Sequence, residues 1–347
     1  MRELLRHLIE ALESNQPALL CRVVATRGST PQKAGASMLL TPDGGQVGTL
    51  GGGCVEAAVK QKASGLVGKA GAEVCSYVLD HDPEWADGLI CGGRMVVLAE
   101  CPSGPGHLAY HSCHRRLLEA GRGFTEAISI DRERSGFEVG ERFLFDHAGT
   151  PFASLSGSLP SAEVVEGVEP LASRPRATEK RGLAYLPTMP RIRLVIVGAG
   201  HVGQGVAELA SRADFEVWVV DDRPEYVTDE RFPTARRRVV GPIDRVLRGL
   251  EITPETFALI VTRGHGHDQE ALAILAPTTA SYVGLIGSKR KIKLIRENLL
   301  DAGISEEALA RVSAPVGLEI GSESVFEIAV SIVAELIARR NLPSAPR

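Results

Sequence analysis

The chain has 347 residues, of which 44% are hydrophobic and 24% charged, with a formal net charge of −4. That length exceeds one typical domain and suits two. The slight negative charge and the 5% aromatic content argue against a nucleic-acid or anionic-membrane ligand, and no apolar run approaches the length of a membrane span.

Taken in chain order, residues 1 to about 14 are expected to form a helix with Leu4, Leu5, Leu8, Ile9 and Leu12 on one stripe. It carries acids and is no secretory signal. The six cysteines, Cys21, Cys54, Cys75, Cys91, Cys101 and Cys113, lack a metal-finger spacing, so we read them as reduced thiols of a cytoplasmic protein. Leu19 to Ala25 has strand length. The loop Arg27-Gly28-Ser29-Thr30-Pro31-Gln32-Lys33-Ala34-Gly35 follows, then a hairpin from Ser37–Leu40 and Val47–Leu50 around Pro42-Asp43-Gly44-Gly45. Gly51-Gly52-Gly53-Cys54 comes next and leads into a helix from Val55. Three successive glycines mark backbone that must turn sharply or approach something closely, and a thiol placed there can meet a ligand. Cys91-Gly92-Gly93 precedes a strand at Met95–Ala99, so both of these cysteines sit at junctions of regular elements. A helix over 108–121 and short strands over 124–155 are expected after it. The polar run Ser173–Arg181, with Pro187 and Pro190, then suggests a crossing between domains.

From residue 191 strands and helices alternate, which predicts a parallel sheet covered by helices. Strands are expected at Leu194–Val197, Val217–Val220, Phe257–Thr262 and Tyr282–Ile286. Gly198-Ala199-Gly200-His201-Val202-Gly203 lies between the first strand and an amphipathic helix. Asp222 stands 19 residues beyond Gly203, so the context of a dinucleotide-binding turn is met. Gly198 permits the turn, Gly200 lets backbone approach a pyrophosphate, and Gly203 lets the helix lie close to the strand. Asp221 or Asp222 could bind a ribose hydroxyl. The last helix is expected to open on a capping box, Ser324 with Glu327, to bury Val325, Ile328, Ala329, Ile332, Val333, Leu336 and Ile337, and to stop at Asn341.

These motifs together resemble the XdhC/CoxI family, the accessory proteins of xanthine dehydrogenase and related molybdenum hydroxylases. The resemblance rests on Thr26–Pro31, Gly48–Glu56, Gly88–Gly93, Val197–Gly203, Arg263–Asp268, Tyr282–Arg290 and Pro315–Gly321, and spans nearly the whole chain. It implies an α/β protein, with an N-terminal mixed α/β domain over 1–188 and a C-terminal Rossmann-like doubly wound parallel sheet over 189–347. It also implies a chaperone of molybdenum cofactor, either molybdopterin or its cytidine dinucleotide form. Such a protein protects the cofactor, assists its sulfuration by a cysteine desulfurase and delivers it to an apo molybdenum hydroxylase subunit. One departure stands out: Gln32 occupies a position where the family often has Arg, so Lys33 would have to supply the cation.

With that resemblance in hand, Cys54 and Cys91 are the expected metal and sulfur ligands, because soft thiolates suit molybdenum and a helix N-terminus favours the thiolate of Cys54. Arg27, Ser29, Thr30 and Lys33 form an expected anion cradle beside Gly52 and Gly53. Glu56 is either a proton acceptor or a charge in a first helical turn. In the C-terminal half the candidates are Gly198, Gly200, His201, Gly203, Asp221, Asp222, His265, His267, Ser288 and Lys289, with Asp268 and Ser288 open also to readings as helix caps. His107, His111 and His114 share a helix face that we read as solvated. The cleft between the domains is the expected cofactor site, and a homodimer is the base expectation. Two other functions compete. An NAD(P)-dependent oxidoreductase predicts nicotinamide nucleotide bound through Asp221 or Asp222, and a Rossmann scaffold acting as a protein adaptor predicts no small ligand.

Overall fold

The structure, a computed structural model, describes residues 1–41, 43–69, 71–79 and 92–342, except for the side chains of Cys54 and His265. Cys91 lies outside the described residues. The chain divides into two compact units, Met1–Pro190 and Arg191–Arg347.

In the first unit, helix α1 (Arg2–Glu13) buries Leu4, Leu5, Leu8, Ile9 and Leu12, of which the four leucines pack with Leu20 and Leu39. Strands β1 (Leu19–Arg27), β2 (Ser37–Leu40) and β3 (Gln46–Gly48) follow, then helix α2 (Gly53–Ala63) and strands β4 (Ala72–Val78) and β5 (Arg94–Glu100). They form one antiparallel sheet of order β3-β2-β1-β5-β4. Helix α2 covers one face of it through Val55 and Val59, which meet Cys21, Met38 and Met95.

Helix α3 (Gly104–Glu119) leads to β6 (Phe124–Ser129), the short helix α4 (Arg132–Ser135), β7 (Arg142–Phe145), β8 (Pro151–Ser154), the short helix α5 (Ala162–Glu166), β9 (Thr178–Lys180) and β10 (Leu183–Thr188). These strands make a second antiparallel sheet, β8-β7-β6-β10-β9. Val24 and Leu98 of the first sheet pack against Ile128, Ala184 and Leu186 of the second. The segment expected to cross between domains therefore contributes strands instead. Thr178–Lys180 and Leu183–Thr188 complete this sheet, and Leu183 to Leu186 are buried in it.

The histidine face of α3 is likewise not solvated. His111 and His114 are each 1% exposed, in contact with Tyr110 and, for His114, Phe124. Beside them runs a buried ionic chain. Arg22 pairs with Glu126, Arg142 pairs with Glu100, and Tyr110 donates to Glu126 at 2.8 Å. Burial pushes the His111 and His114 imidazoles down, to about 4 for His114. Burial opposes ionisation of Glu126, but Arg22 and its other neighbours hold that carboxyl at about 2.

The second unit runs β11 (Arg193–Val197), α6 (His201–Arg212), β12 (Glu216–Asp221), β13 (Arg237–Val240), α7 (Ile243–Arg248), β14 (Thr256–Ile260), α8 (His265–Leu275), β15 (Tyr282–Leu285), α9 (Lys289–Asp301), α10 (Glu306–Ala310), β16 (Val312–Ser313) and α11 (Val325–Asn341). The sheet is parallel throughout, in the order β13-β12-β11-β14-β15-β16. Counted from β11, that is the 3-2-1-4-5-6 order of the Rossmann fold. Leu194–Val197 and Thr256–Ile260 are buried without interruption, as strands covered on both faces must be. Helices α6 and α11 cover one face, and α7 to α10 cover the other. The capping box of α11 forms as expected, but Val325 at its start is 47% exposed rather than buried.

Candidate functional site: glycine loops in each unit

Three motifs that lie far apart in the sequence meet in the first unit. A Cβ added at Gly93 would fall 1.9 Å from the Ser29 carbonyl oxygen, and one added at Gly28 would fall 3.1 Å from the Gly92 carbonyl oxygen. The Arg27–Lys33 loop therefore lies directly on the Gly92-Gly93 backbone. A Cβ at Gly51 would fall 2.4 Å from Pro31 Cβ, so the same loop also touches the triple glycine. These are contacts only glycine allows. The Gly92-Gly93 pair is fixed in turn by Leu79, whose N–H donates to the Gly93 carbonyl at 2.8 Å and whose carbonyl accepts from Gly92 N–H at 3.0 Å.

Glu56 organises the triple-glycine loop. Its Oε1 accepts from Thr49 Oγ1, Leu50 N–H (3.0 Å) and Gly52 N–H (3.0 Å), and its Oε2 accepts from Gln46 Nε2 (2.9 Å). Thr49 Oγ1 accepts in turn from Gly51 N–H at 3.0 Å. Burial would raise this carboxyl, but the donors from Thr49, Gln46, Leu50 and Gly52 outweigh it and hold it at about 2. An acid that stays ionised to that pH is no proton acceptor near neutrality. Glu56 is a brace, a role that neither reading from sequence contained.

The brace shapes a surface. Gly52 and Gly53 hold φ of +78° and +57°, and a Cβ on either would meet nothing within 4 Å. Their backbone is thus open on the outer side. Cys54 occupies the second position of α2, whose first N–H groups lack carbonyl partners within the helix. Arg27, Ser29 and Lys33 are exposed on the neighbouring loop and Thr30 is half-buried, its hydroxyl donating to the Gln32 carbonyl at 2.8 Å. The other cysteines take no part. Cys21, Cys75 and Cys101 are buried and Cys113 half-buried, all as free thiols, and burial pushes the Cys21 thiol up to about 12.

In the second unit the dinucleotide turn has the expected division of labour. A Cβ at Gly198 would fall 2.5 Å from the Val261 carbonyl oxygen, and one at Gly203 would fall 2.1 Å from the Gly198 carbonyl oxygen, whereas Gly200 faces open space. Ala199 pins the turn from both sides. Its N–H donates to Asp221 Oδ2 at 2.7 Å, and its carbonyl accepts from Arg231 Nη2 at 3.2 Å. His201 stands exposed at the first position of α6.

Asp221 closes β12, and its carboxylate is gripped by Arg223, with Nε on Oδ1 at 2.8 Å and Nη2 on Oδ2 at 2.9 Å. Burial raises this carboxyl, and the bonds from Arg223 and Ala199 outweigh burial to hold it at about 2. Asp222 is half-buried, with its Oδ2 3.5 Å from Arg263 Nη2 and 3.9 Å from His267 Nε2. Asp268 is no helix cap. Helix α8 starts at His265 behind Gly264, and Asp268 is buried within it, accepting from Thr262 Oγ1 at 2.6 Å and pairing with Lys291. Ser288 is the cap of α9, its hydroxyl accepting from Lys291 N–H at 3.3 Å, and Lys289 is exposed beside it. Among the described residues no group of three or more His, Cys, Asp or Glu side chains is placed to hold a metal ion. No helix among them is long and apolar enough to cross a membrane.

Sequence reading passed over Arg223, Tyr226 and Arg231. Arg223 lies over the Tyr226 ring at 3.8 Å, and Arg231 at 5.1 Å. The available signal was an arginine two residues beyond a strand-ending aspartate, with an aromatic residue three further on.

Two family models match this chain: the XdhC and CoxI family over residues 11–78, and the XdhC Rossmann domain over residues 194–336. The chain belongs to the XdhC and CoxI family. Both glycine-loop sites contain residues within those matches. A probable xanthine dehydrogenase subunit of Bacillus subtilis (strain 168) is 29% identical to this XdhC/CoxI chain, over 95% of each protein. The molybdenum cofactor insertion chaperone PaoD of Escherichia coli (strain K12) is 23% identical, over 98% of this chain and 88% of its own. The crystal structure of a xanthine dehydrogenase from Bacillus halodurans matches with a TM-score of 0.79 and 28% identity, over 98% of both chains.

Proposed function

We propose that this XdhC/CoxI protein is an accessory factor for a molybdenum hydroxylase of the xanthine dehydrogenase or CO dehydrogenase type. It receives molybdenum cofactor as cargo, shields it while a cysteine desulfurase supplies sulfur, and delivers it to the apo-hydroxylase subunit. Family membership and the similarity to PaoD support the accessory role. The observation that carries the reading is the meeting of the Arg27–Lys33, triple-glycine and Gly92-Gly93 segments, which leaves the backbone of Gly52 and Gly53 open beside Cys54.

The chemistry follows from those residues. Arg27 and Lys33 offer cations to the anionic metal end of the cargo, and the N–H groups opening α2 add positive potential. A thiolate at the second helical position is a soft ligand for molybdenum or an acceptor of sulfane sulfur, and Cys54 is the residue the proposal assigns to it. Cys91 adjoins Gly92 in the chain and is the second thiol of the proposal. In the second unit, the open Gly200 and the start of α6 would receive a phosphate-bearing part of the ligand. No turnover is required of either unit.

The test is reconstitution. Protein loaded in a molybdate-supplied host should restore activity to cofactor-free hydroxylase when a desulfurase and cysteine are present. Cys54→Ala and Cys91→Ala should each cut the restored activity about tenfold or more, with unchanged thermal melting. Equal restoration by the double variant would remove the thiols from the mechanism.

A further inference from the structure

Asp221 stands where a Rossmann unit reads the ribose hydroxyls of a dinucleotide, at the end of the second strand. A carboxylate offers roughly four lone-pair positions. Here Oδ1 accepts from Arg223 N–H at 3.0 Å and Arg223 Nε at 2.8 Å, and Oδ2 accepts from Ala199 N–H at 2.7 Å and Arg223 Nη2 at 2.9 Å. The chain's own donors fill the group. A ribose diol could bond to it only by displacing a buried charge-assisted bond. Asp222 beside it is ion-paired, with its Oδ2 3.5 Å from Arg263 Nη2 and 3.9 Å from His267 Nε2 and its Oδ1 3.9 Å from Arg223 Nε.

Arg223 uses two of its five N–H groups on Asp221, and its guanidinium lies against the Tyr226 ring at 3.8 Å. Arg223 and Arg263 thus pair with the two carboxylates at this strand end, while Arg231 bonds the Ala199 carbonyl of the turn. We infer that Arg223 sets the ligand class of the second unit: by filling the Asp221 carboxylate it closes that position to a ribose diol. The crevice then selects a ligand held through its phosphate at the Gly200 turn over one, such as NAD, that is held through a ribose diol. This rests on the proposal that the second unit receives the phosphate-bearing part of the ligand.

Calorimetric titration of the full chain with CDP and with 2′,3′-dideoxy-CDP tests it. The wild type should bind the two within about twofold of each other. Arg223→Met, which keeps an apolar stem beside Tyr226 but removes the fork, should free Asp221 and bind CDP about tenfold tighter than the wild type, and the dideoxy analogue should show no such gain. Arg223→Gln, with thermal melting recorded for both, covers the case in which the methionine variant does not fold. A tenfold preference for the diol in the wild type overturns the inference, as does the absence of any gain in folded variants. Gly200→Val is a separate arm. If it leaves CDP binding unchanged, the phosphates do not sit at this turn and the proposed role of the second unit fails, while the diol comparison still decides the role of Arg223.

Discussion

Glu56 shows how one charge can shape a loop that has almost no side chains of its own. Four donors converge on its carboxylate from a segment that cannot fold against itself, because glycine supplies no packing. Glu56→Ala should therefore cost about 2–3 kcal/mol, since it strands buried N–H groups that a charged acceptor now satisfies; urea unfolding measures that loss directly. Two glycine substitutions should destabilise for different reasons. Gly93→Ala drives a methyl into the Ser29 backbone and should lower the melting temperature by several degrees. Gly52→Ala points into open space, but φ of +78° with ψ of 179° is glycine's own region, so it should cost about 2–3 kcal/mol of backbone strain without any clash, and should impair cofactor retention. Much of this was legible in the sequence, because runs of glycine advertise close approach. Which segments approach one another was not, since Gly28 and Gly93 are joined only by the fold.

At the scale of elements, α3 is where pattern misled. His107, His111 and His114 recur at helical spacing among polar neighbours, as an exposed face would, yet α3 lies on the second sheet with Tyr110 packed against Phe124 and Leu144. The face lies beside a buried ionic chain whose members, Arg22, Glu100, Glu126 and Arg142, come from four different strands. No local window can show such a pairing. It has a consequence in acid. His114 is held at about 4 by burial, against about 6.5 in an unfolded chain, so the unfolded state takes up the proton first as pH falls. Its contribution is complete above pH 6.5 and is lost progressively down to pH 4, a loss of roughly 3 kcal/mol. His111 is shifted in the same direction. Thermal melts should fall steeply between pH 6.5 and 4.5, and His111→Leu/His114→Leu should flatten that fall. A wild-type melting temperature that stays level over this range would contradict the assignment. Strand β4 and the strands β9 and β10 escaped reading for a related reason. Polar residues alternate along β4, and prolines and charges crowd 173–190, so antiparallel pairing rather than local composition makes those segments strands.

The second unit was far more legible, because parallel strands buried on both faces announce themselves as apolar runs and the GxGxxG turn has a fixed place among them. Gly203→Val should unfold that unit by forcing α6 off the Gly198 carbonyl, whereas Gly200→Val should leave melting unchanged. For the molecule as a whole, the proposal is cargo handling, with Cys54 and Cys91 each beside a run of glycine in the sequence. The claim is tested most directly by the molybdenum and pterin content of the protein purified from a molybdate-supplied host, compared between the wild type and Cys54→Ser/Cys91→Ser. The account predicts near-stoichiometric molybdenum and pterin in the wild type, reduced about tenfold in a double variant that melts at the same temperature. Equal content in both proteins, or none in either, would contradict it.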